Sequence, residues 1–208
     1  MMTDGRNLIA ILRGVTPDTV SDIGHALFDC GIAQIEVPLN THRALDSIAT
    51  LVDALGDRAL IGTGTVITRE QVRAVAEIGG RLIVSPNFDP DVVQETRRRA
   101  LVSMPGVVTP SECFAALKAG ADALKLFPAF HVGPDGLAAL RAVLPRGCAI
   151  YPVGGVAPEH FGQWLAAGAD GFGLGGALYQ PGDSAAIVGR KAARVVAQWD
   201  RATKGVAV

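Results

Sequence analysis

The chain has 208 residues, 49% of them hydrophobic, with 19 basic and 20 acidic side chains and a formal net charge of −1. That length fits one domain with a full core, and without a basic surplus to displace counterions from phosphates no nucleic-acid partner is expected. The longest apolar runs, such as Leu8 to Leu12, are strand-sized and far short of the roughly 20 residues that cross a bilayer, so no membrane partner is expected either.

Met1 to Asn7 lack a basic stretch followed by a long apolar core, so no export signal is read there. Cys30, Cys113 and Cys148 are widely spaced and odd in number, which suits free thiols in a reducing cytoplasm. Along the chain, β-branched runs alternate with helical patterns. The predicted strands are Leu8–Arg13, Gln34–Leu39, Ala59–Thr65, Arg81–Pro86, Leu101–Pro105, Ala123–Phe127, Ala149–Val153 and Gly171–Leu174. Between them, Leu45, Ile48, Leu51, Val52 and Leu55 recur at helical spacing, as do Leu137, Leu140, Val143 and Leu144. Thr109-Pro110-Ser111-Glu112 has the form of a capping box, and Thr68 with Gln71 that of a second. Helices end on Gly31, Gly79, Gly120 and Gly168, where a left-handed exit favours glycine. The repeated unit predicts an α/β protein, a single (β/α)8 TIM barrel over residues 1–208, with a doubly wound open sheet as the alternative.

In such a barrel, reactive groups sit at the C-terminal ends of strands and just after them. Of the four lysines, Lys118, Lys191 and Lys204 belong to helices or the tail, and Lys125 alone lies in a strand. Strand alternation turns Leu124 and Leu126 outward and Lys125 into the barrel mouth. Two readings of Lys125 stand side by side. One is a lysine reaching water or paired to a carboxylate; the other is an amine deprived of water and able to act as a nucleophile. Among the six glutamates only Glu36 lies in a strand. With Lys125 it forms either a structural ion pair or the nucleophile and acid/base of imine chemistry.

Arg13, closing the first strand, suits bidentate capture of a carboxylate, or is a surface arginine. Thr65 ends the third strand and either donates a hydroxyl to that carboxylate or caps a turn. The last two strands run into Val153-Gly154-Gly155 and Gly173-Leu174-Gly175-Gly176. Bare amides there suit a phosphate, as do simple tight turns. The run from Gly171 to Gly176 matches a dinucleotide fingerprint literally, but too little chain follows to complete that fold. His25, His42, His131 and His160 have no metal-binding spacing, so neither a metal nor any other cofactor is expected. His131 follows the sixth strand and is read as a solvated loop residue.

Six runs then carry a resemblance: Ile11 to Gly14, Ile35 to Asn40, Gly62 to Val66, Ser85 to Asn87, Leu124 to Pro128 and Val153 to Val156. In order and nearly end to end, they resemble the 2-keto-3-deoxy-6-phosphogluconate/4-hydroxy-2-oxoglutarate class I aldolase family. The resemblance implies a homotrimeric barrel that cleaves a small keto-deoxy sugar-acid phosphate to pyruvate and an aldehyde. It implies a Schiff base on Lys125, proton transfer by Glu36, a pyruvyl carboxylate on Arg13 and Thr65, and a phosphate on Gly154, Gly155 and Gly175. Val153 and Asn40, where gluconate-specific branches carry threonine and arginine, resemble the galactonate branch, as does the pair Gly133-Pro134. Gly176 departs from a serine common in the family, which leaves a backbone contact to phosphate there. Two other functions compete: a phosphosugar isomerase or epimerase with Glu36 as base, and a sugar-phosphate binding protein without catalysis.

Overall fold

A computed structural model describes residues 6–205. The reading of Met1 to Asn7 as free of an export signal therefore lies largely outside the described residues. The strands are β1 (Leu8–Ile11), β2 (Gln34–Pro38), β3 (Leu60–Gly64), β4 (Leu82–Val84), β5 (Val102–Met104), β6 (Gly106–Val107), β7 (Ala123–Leu126), β8 (Ala149–Pro152) and β9 (Phe172–Leu174). The helices are α1 (Pro17–Asp29), α2 (Ala44–Leu55), α3 (Arg69–Glu77), α4 (Pro90–Arg98), α5 (Pro110–Ala119), α6 (Ala129–Arg141), α7 (Phe161–Ala166) and α8 (Ala185–Lys204).

All pairings between strands are parallel, in one sheet of order β5-β4-β3-β2-β1-β9 and a second of order β6-β7-β8. The result is a curled parallel sheet with a helix between successive strands, except between β5 and β6. The predicted strand Leu101–Pro105 is divided at its proline. Pro105 has no N–H to give the ladder, so β5 stops before it and β6 resumes after it. Its carbonyl still accepts from the Lys125 N–H at 2.9 Å, and the Ser103 carbonyl accepts from the Asp122 N–H at 3.0 Å. On the other side, Val153 bridges Gly173 and the Asp170 N–H donates to the Ile150 carbonyl at 3.0 Å.

Local chemistry sets the helix boundaries. Thr68 with Gln71 and Thr109 with Glu112 form complete reciprocal capping boxes on α3 and α5. Each box pairs orphan amides that would otherwise be unbonded, worth about 1 kcal/mol per cap. Gly31, Gly79, Gly120 and Gly168 all have φ between +82° and +100°, the left-handed exits expected of them. The long pattern after β7 is broken within α6, where Gly133 (φ +68°, ψ 171°) precedes Pro134.

Apolar side chains pack on both faces of the sheet, as strand alternation requires, with Val72, Val75, Ile83 and Val92 forming a smaller cluster of their own. Ile35, Val37, Leu124 and Leu126 pack outward with Ile23, Leu27, Ile48 and Leu51 of the helices. Phe161 stacks on Phe172 at 4.2 Å between ring centroids, and Trp199 of α8 meets both edge-on. Inside the curl, Ile9, Leu60, Leu82, Val84, Met104, Ala123 and Tyr151 form a separate cluster. Burying each large aliphatic contributes about 1.5–3 kcal/mol, so both faces of the sheet hold the strands in register.

Candidate active site

Register brings the two in-strand charges to the same side of the sheet. Glu36 lies opposite Ile11 and Gly62, and Lys125 opposite Gly106 and Tyr151. Tyr151 belongs to the interior cluster, so Lys125 faces inward while its neighbours Leu124 and Leu126 face the helices. Both charged residues are buried, at 2% exposure for Glu36 and 6% for Lys125. Gly64 makes room for the carboxylate: a Cβ there would lie 2.6 Å from Glu36 Cδ.

The two side chains do not form the structural ion pair that was one reading of them. Lys125 Nζ lies 4.5 Å from the centroid of the Phe127 ring, and Glu36 Oε2 has no hydrogen-bond partner among the described residues. They act on each other through space. Burial raises Glu36 to about 7, against the opposing pull of Lys125, Arg13 and a backbone hydrogen bond from Gly64. Burial lowers the Lys125 amine; Glu36 opposes that shift and Arg13 adds to it. An amine so placed loses its proton more readily than a solvated lysine, which is what attack on a carbonyl requires. A carboxyl that titrates near neutrality can both give and take a proton.

Arg13 lies beyond the strand predicted to contain it. β1 stops at Ile11, one further ladder bond runs from the Leu12 N–H to the Glu36 carbonyl, and the chain then turns through Gly14 at φ +82°. The exposed Arg13 guanidinium donates to Asn40 Oδ1. The Gly14 N–H donates to Thr41 Oγ1 at 3.0 Å, so the loop after β1 is tied to the loop after β2. Thr65 also falls just outside its strand, with φ +62°, a left-handed backbone costly for a branched residue. That twist breaks the alternation of β3, and strain of this kind concentrates at functional positions. His131 sits in the first turn of α6 and not in a loop, because the helix starts directly after Pro128; its ring lies 4.3 Å from that of Phe130.

A cleft of about 340 Å³ is lined by Ile11, Arg13, Val153, Gly154, Gly155, Val156 and the segment from Gly173 to Ala177. It gathers Arg13, Val153 and all four glycines singled out in the sequence. Gly154 and Gly155 adopt φ +88° and +77°, and a Cβ on Gly155 would meet Phe130 Cβ at 2.8 Å. At Gly175 and Gly176 a Cβ would meet open space, apart from one contact at 4.0 Å with Ile11. Both line the cleft and carry no side chain to fill it, which leaves room for an anion. A larger depression of about 510 Å³ between α6 and α7 is lined by Pro134, Asp135, Ala138 and Gln163 and holds no buried titratable group.

Several neighbours of these groups were not singled out as site residues in the sequence. Asn40 fixes Arg13, Phe127 lies under the Lys125 amine, and Gln34 is buried on the same strand face as Glu36. Asn40 carried a signal in its place within a matching run. Phe127 and Gln34 carried none, since their significance comes from what lies across the strands. No three His, Cys, Asp or Glu side chains gather to hold a metal ion among the described residues.

A curled parallel α/β sheet with an amine and a near-neutral carboxyl buried inside its strands, beside a cleft past the strand ends, is an enzyme's architecture. The profile of the KDPG and KHG aldolase family matches residues 2–194, and the chain belongs to that family. It is accordingly an aldolase, a carbon–carbon lyase. It is 45% identical over 197 residues to the 2-dehydro-3-deoxy-6-phosphogalactonate aldolase of Escherichia coli (strain K12), covering 95% of this chain and 96% of that one. A solved structure described as native KDPGal superposes with a TM-score of 0.95 at 44% identity, over 98% of both chains. A KDPG aldolase from Legionella pneumophila, with pyruvate captured as a covalent carbinolamine, superposes with a TM-score of 0.81 at 25% identity over 95% of this chain and 94% of that one.

Proposed function

We propose that this aldolase reversibly cleaves 2-dehydro-3-deoxy-6-phospho-D-galactonate to pyruvate and D-glyceraldehyde 3-phosphate, through a Schiff base on Lys125. The observation that carries the reading is the burial of Lys125 inside the sheet, with its amine lowered and Glu36 facing it. The neutral amine attacks the C2 ketone, and Glu36 moves the protons that turn the carbinolamine into an iminium with loss of water. The C4 hydroxyl then gives its proton to the Glu36 carboxylate as the C3–C4 bond breaks. The bond's electrons pass into the iminium, leaving an enamine and the aldehyde. Glu36 returns the proton to C3, and hydrolysis of the imine frees pyruvate and Lys125. Carbinolamine capture in the Legionella enzyme supports this chemistry.

Arg13, held by Asn40, and Thr65 take the pyruvyl carboxylate, and the amides at Gly154, Gly155, Gly175 and Gly176 take the phosphate. Val153, lining the same cleft, presents methyls where a hydroxyl would favour the other C4 epimer. We also read the two sheets as one closed (β/α)8 barrel, and the chain as a single domain. The hydrogen bonds from Asp122 and Lys125 to β5 and its following proline support this, as does the bridge from Val153 to Gly173. A homotrimer is supported by exposed apolar side chains after β2, β3 and β6, among them Ile67 at 52% and Phe114 at 45% exposure. A cytoplasmic location is supported by three free cysteines. No helix among the described residues is long and apolar enough to cross a membrane.

The test compares cleavage of the two C4 epimers, with pyruvate release followed by a coupled reductase. The galactonate form should have the higher kcat/KM, by about tenfold or more, the scale on which one pocket contact discriminates. Equal rates, or a preference for the gluconate form, would overturn the assignment of Val153.

A further inference from the structure

Gln34 opens β2 and is completely buried, yet neither Oε1 nor Nε2 has a hydrogen-bond partner among the described residues. Its direction is fixed by register. It lies opposite Ile9 on β1 and Leu60 on β3, both members of the interior cluster, so its amide points into the curl of the sheet. Two residues on, Glu36 faces the same way, and its Oε2 is also buried without a partner. A primary amide left bare in an apolar interior costs about 1–3 kcal/mol, and buried polar groups of this kind are nearly always satisfied by ordered water when protein groups do not reach them.

Positions i and i+2 on one strand face are roughly 6.6 Å apart along the strand. One water making two hydrogen bonds of about 2.8 Å spans a little less, and the flexible stems of Gln and Glu close the difference. An amide also offers both a donor and an acceptor, so such a water can turn to face either protonation state of a carboxyl.

We propose that Gln34 is a positioning residue, holding one buried water against Glu36 Oε2 on the side of the carboxyl away from the cleft. The proposal rests on the reading of Glu36 as the proton carrier, and gives that carrier a second hydrogen-bonded face. The water donates to the carboxylate when Glu36 is ionised and accepts from it when Glu36 is protonated. Because a hydrogen bond to an ion is the stronger of the two, the water on balance favours the ionised form. The other charged or titratable groups around Glu36 are Lys125 on β7, Arg13 after β1 and, in the interior cluster, Tyr151 on β8. β3 contributes Gly62, opposite Glu36 in register, and Gly64, which lies against the carboxylate; neither is titratable. All of these persist when Gln34 is replaced.

The experiment follows the Glu36 carboxyl by infrared difference titration of the full-length protein, assigned by subtracting Glu36→Gln, in the wild type and in Gln34→Leu and Gln34→Met. Both substitutions keep the volume and remove the amide. The midpoint should rise by about half to one pH unit in both, a typical effect of losing one hydrogen bond to a carboxylate. The rising limb of pyruvate C3 proton exchange against pH should move by the same amount, with the apparent affinity for pyruvate unchanged. A midpoint that stays in place or falls overturns the proposal. Should Glu36→Gln exchange pyruvate protons like the wild type, the reading of Glu36 as proton carrier fails, while the titration still decides the role of Gln34. Were neither variant to fold, a high-resolution crystal structure of the unaltered protein decides it. An ordered water within about 3.2 Å of both side chains is expected; direct contact between them, or no density, overturns it.

Discussion

At the scale of single residues, the site depends on two charges kept where charges are costly. Lys125 and Glu36 stood out in the sequence because strands leave almost no place for charge, so one lysine and one glutamate there were conspicuous. Sequence could not say whether they form a salt bridge. That depends on distances across strands, and here Lys125 rests on Phe127 while a Glu36 oxygen stays unbonded. Gln34 was silent for the same reason, since a glutamine at a strand start is ordinary until its neighbours prove to be Ile9 and Leu60. The raised Glu36 has a consequence for stability. Between pH 4.5 and about 7 the folded protein retains a proton on Glu36 that the unfolded chain has released. The free energy of unfolding therefore falls as pH rises through that window, by at most about 1.4 kcal/mol per pH unit from this group. Urea unfolding across the window should show this slope in the wild type and lose it in Glu36→Gln. An unchanged slope in that variant contradicts the placement of the proton.

At the scale of elements, boundaries were legible wherever a residue type enforces them. The capping boxes at Thr68 and Thr109 and the left-handed glycines follow from unbonded amides and carbonyls at helix ends. The predicted strands run two residues long at Arg13 and one at Thr65, because nothing in the residue types marks the point where ladder pairing stops. Those departures place Arg13 and Thr65 in turns beyond their strands, where side chains can turn toward a ligand. The break at Pro105 could have been anticipated from its missing N–H. Within β3, Gly62 is needed for packing: a Cβ there would lie within 2.6 Å of the carbonyl carbon of Leu82 on β4. Backbone cannot yield as a side chain can, so Gly62→Ala should cost about 3 kcal/mol or more, at or beyond the upper end of ordinary overpacking. Chemical denaturation checks this; a loss below about 1 kcal/mol contradicts the close approach of β3 and β4.

At the scale of the whole molecule, the alternation of strand and helix fixed the fold class. It left open how the curl closes, because pairing between β5 or β6 and β7 runs through only a few bonds on either side of a proline. What the architecture achieves is a largely apolar interior that buries Lys125 and Glu36, beside a cleft past the strand ends lined by Arg13, Val153 and the glycines. The chemistry turns on whether the buried amine bonds to a keto acid. Incubation with pyruvate followed by borohydride reduction and peptide mapping by mass should place a single stable adduct on Lys125, absent in Lys125→Ala. An adduct on Lys118, Lys191 or Lys204, or none at all, would contradict it.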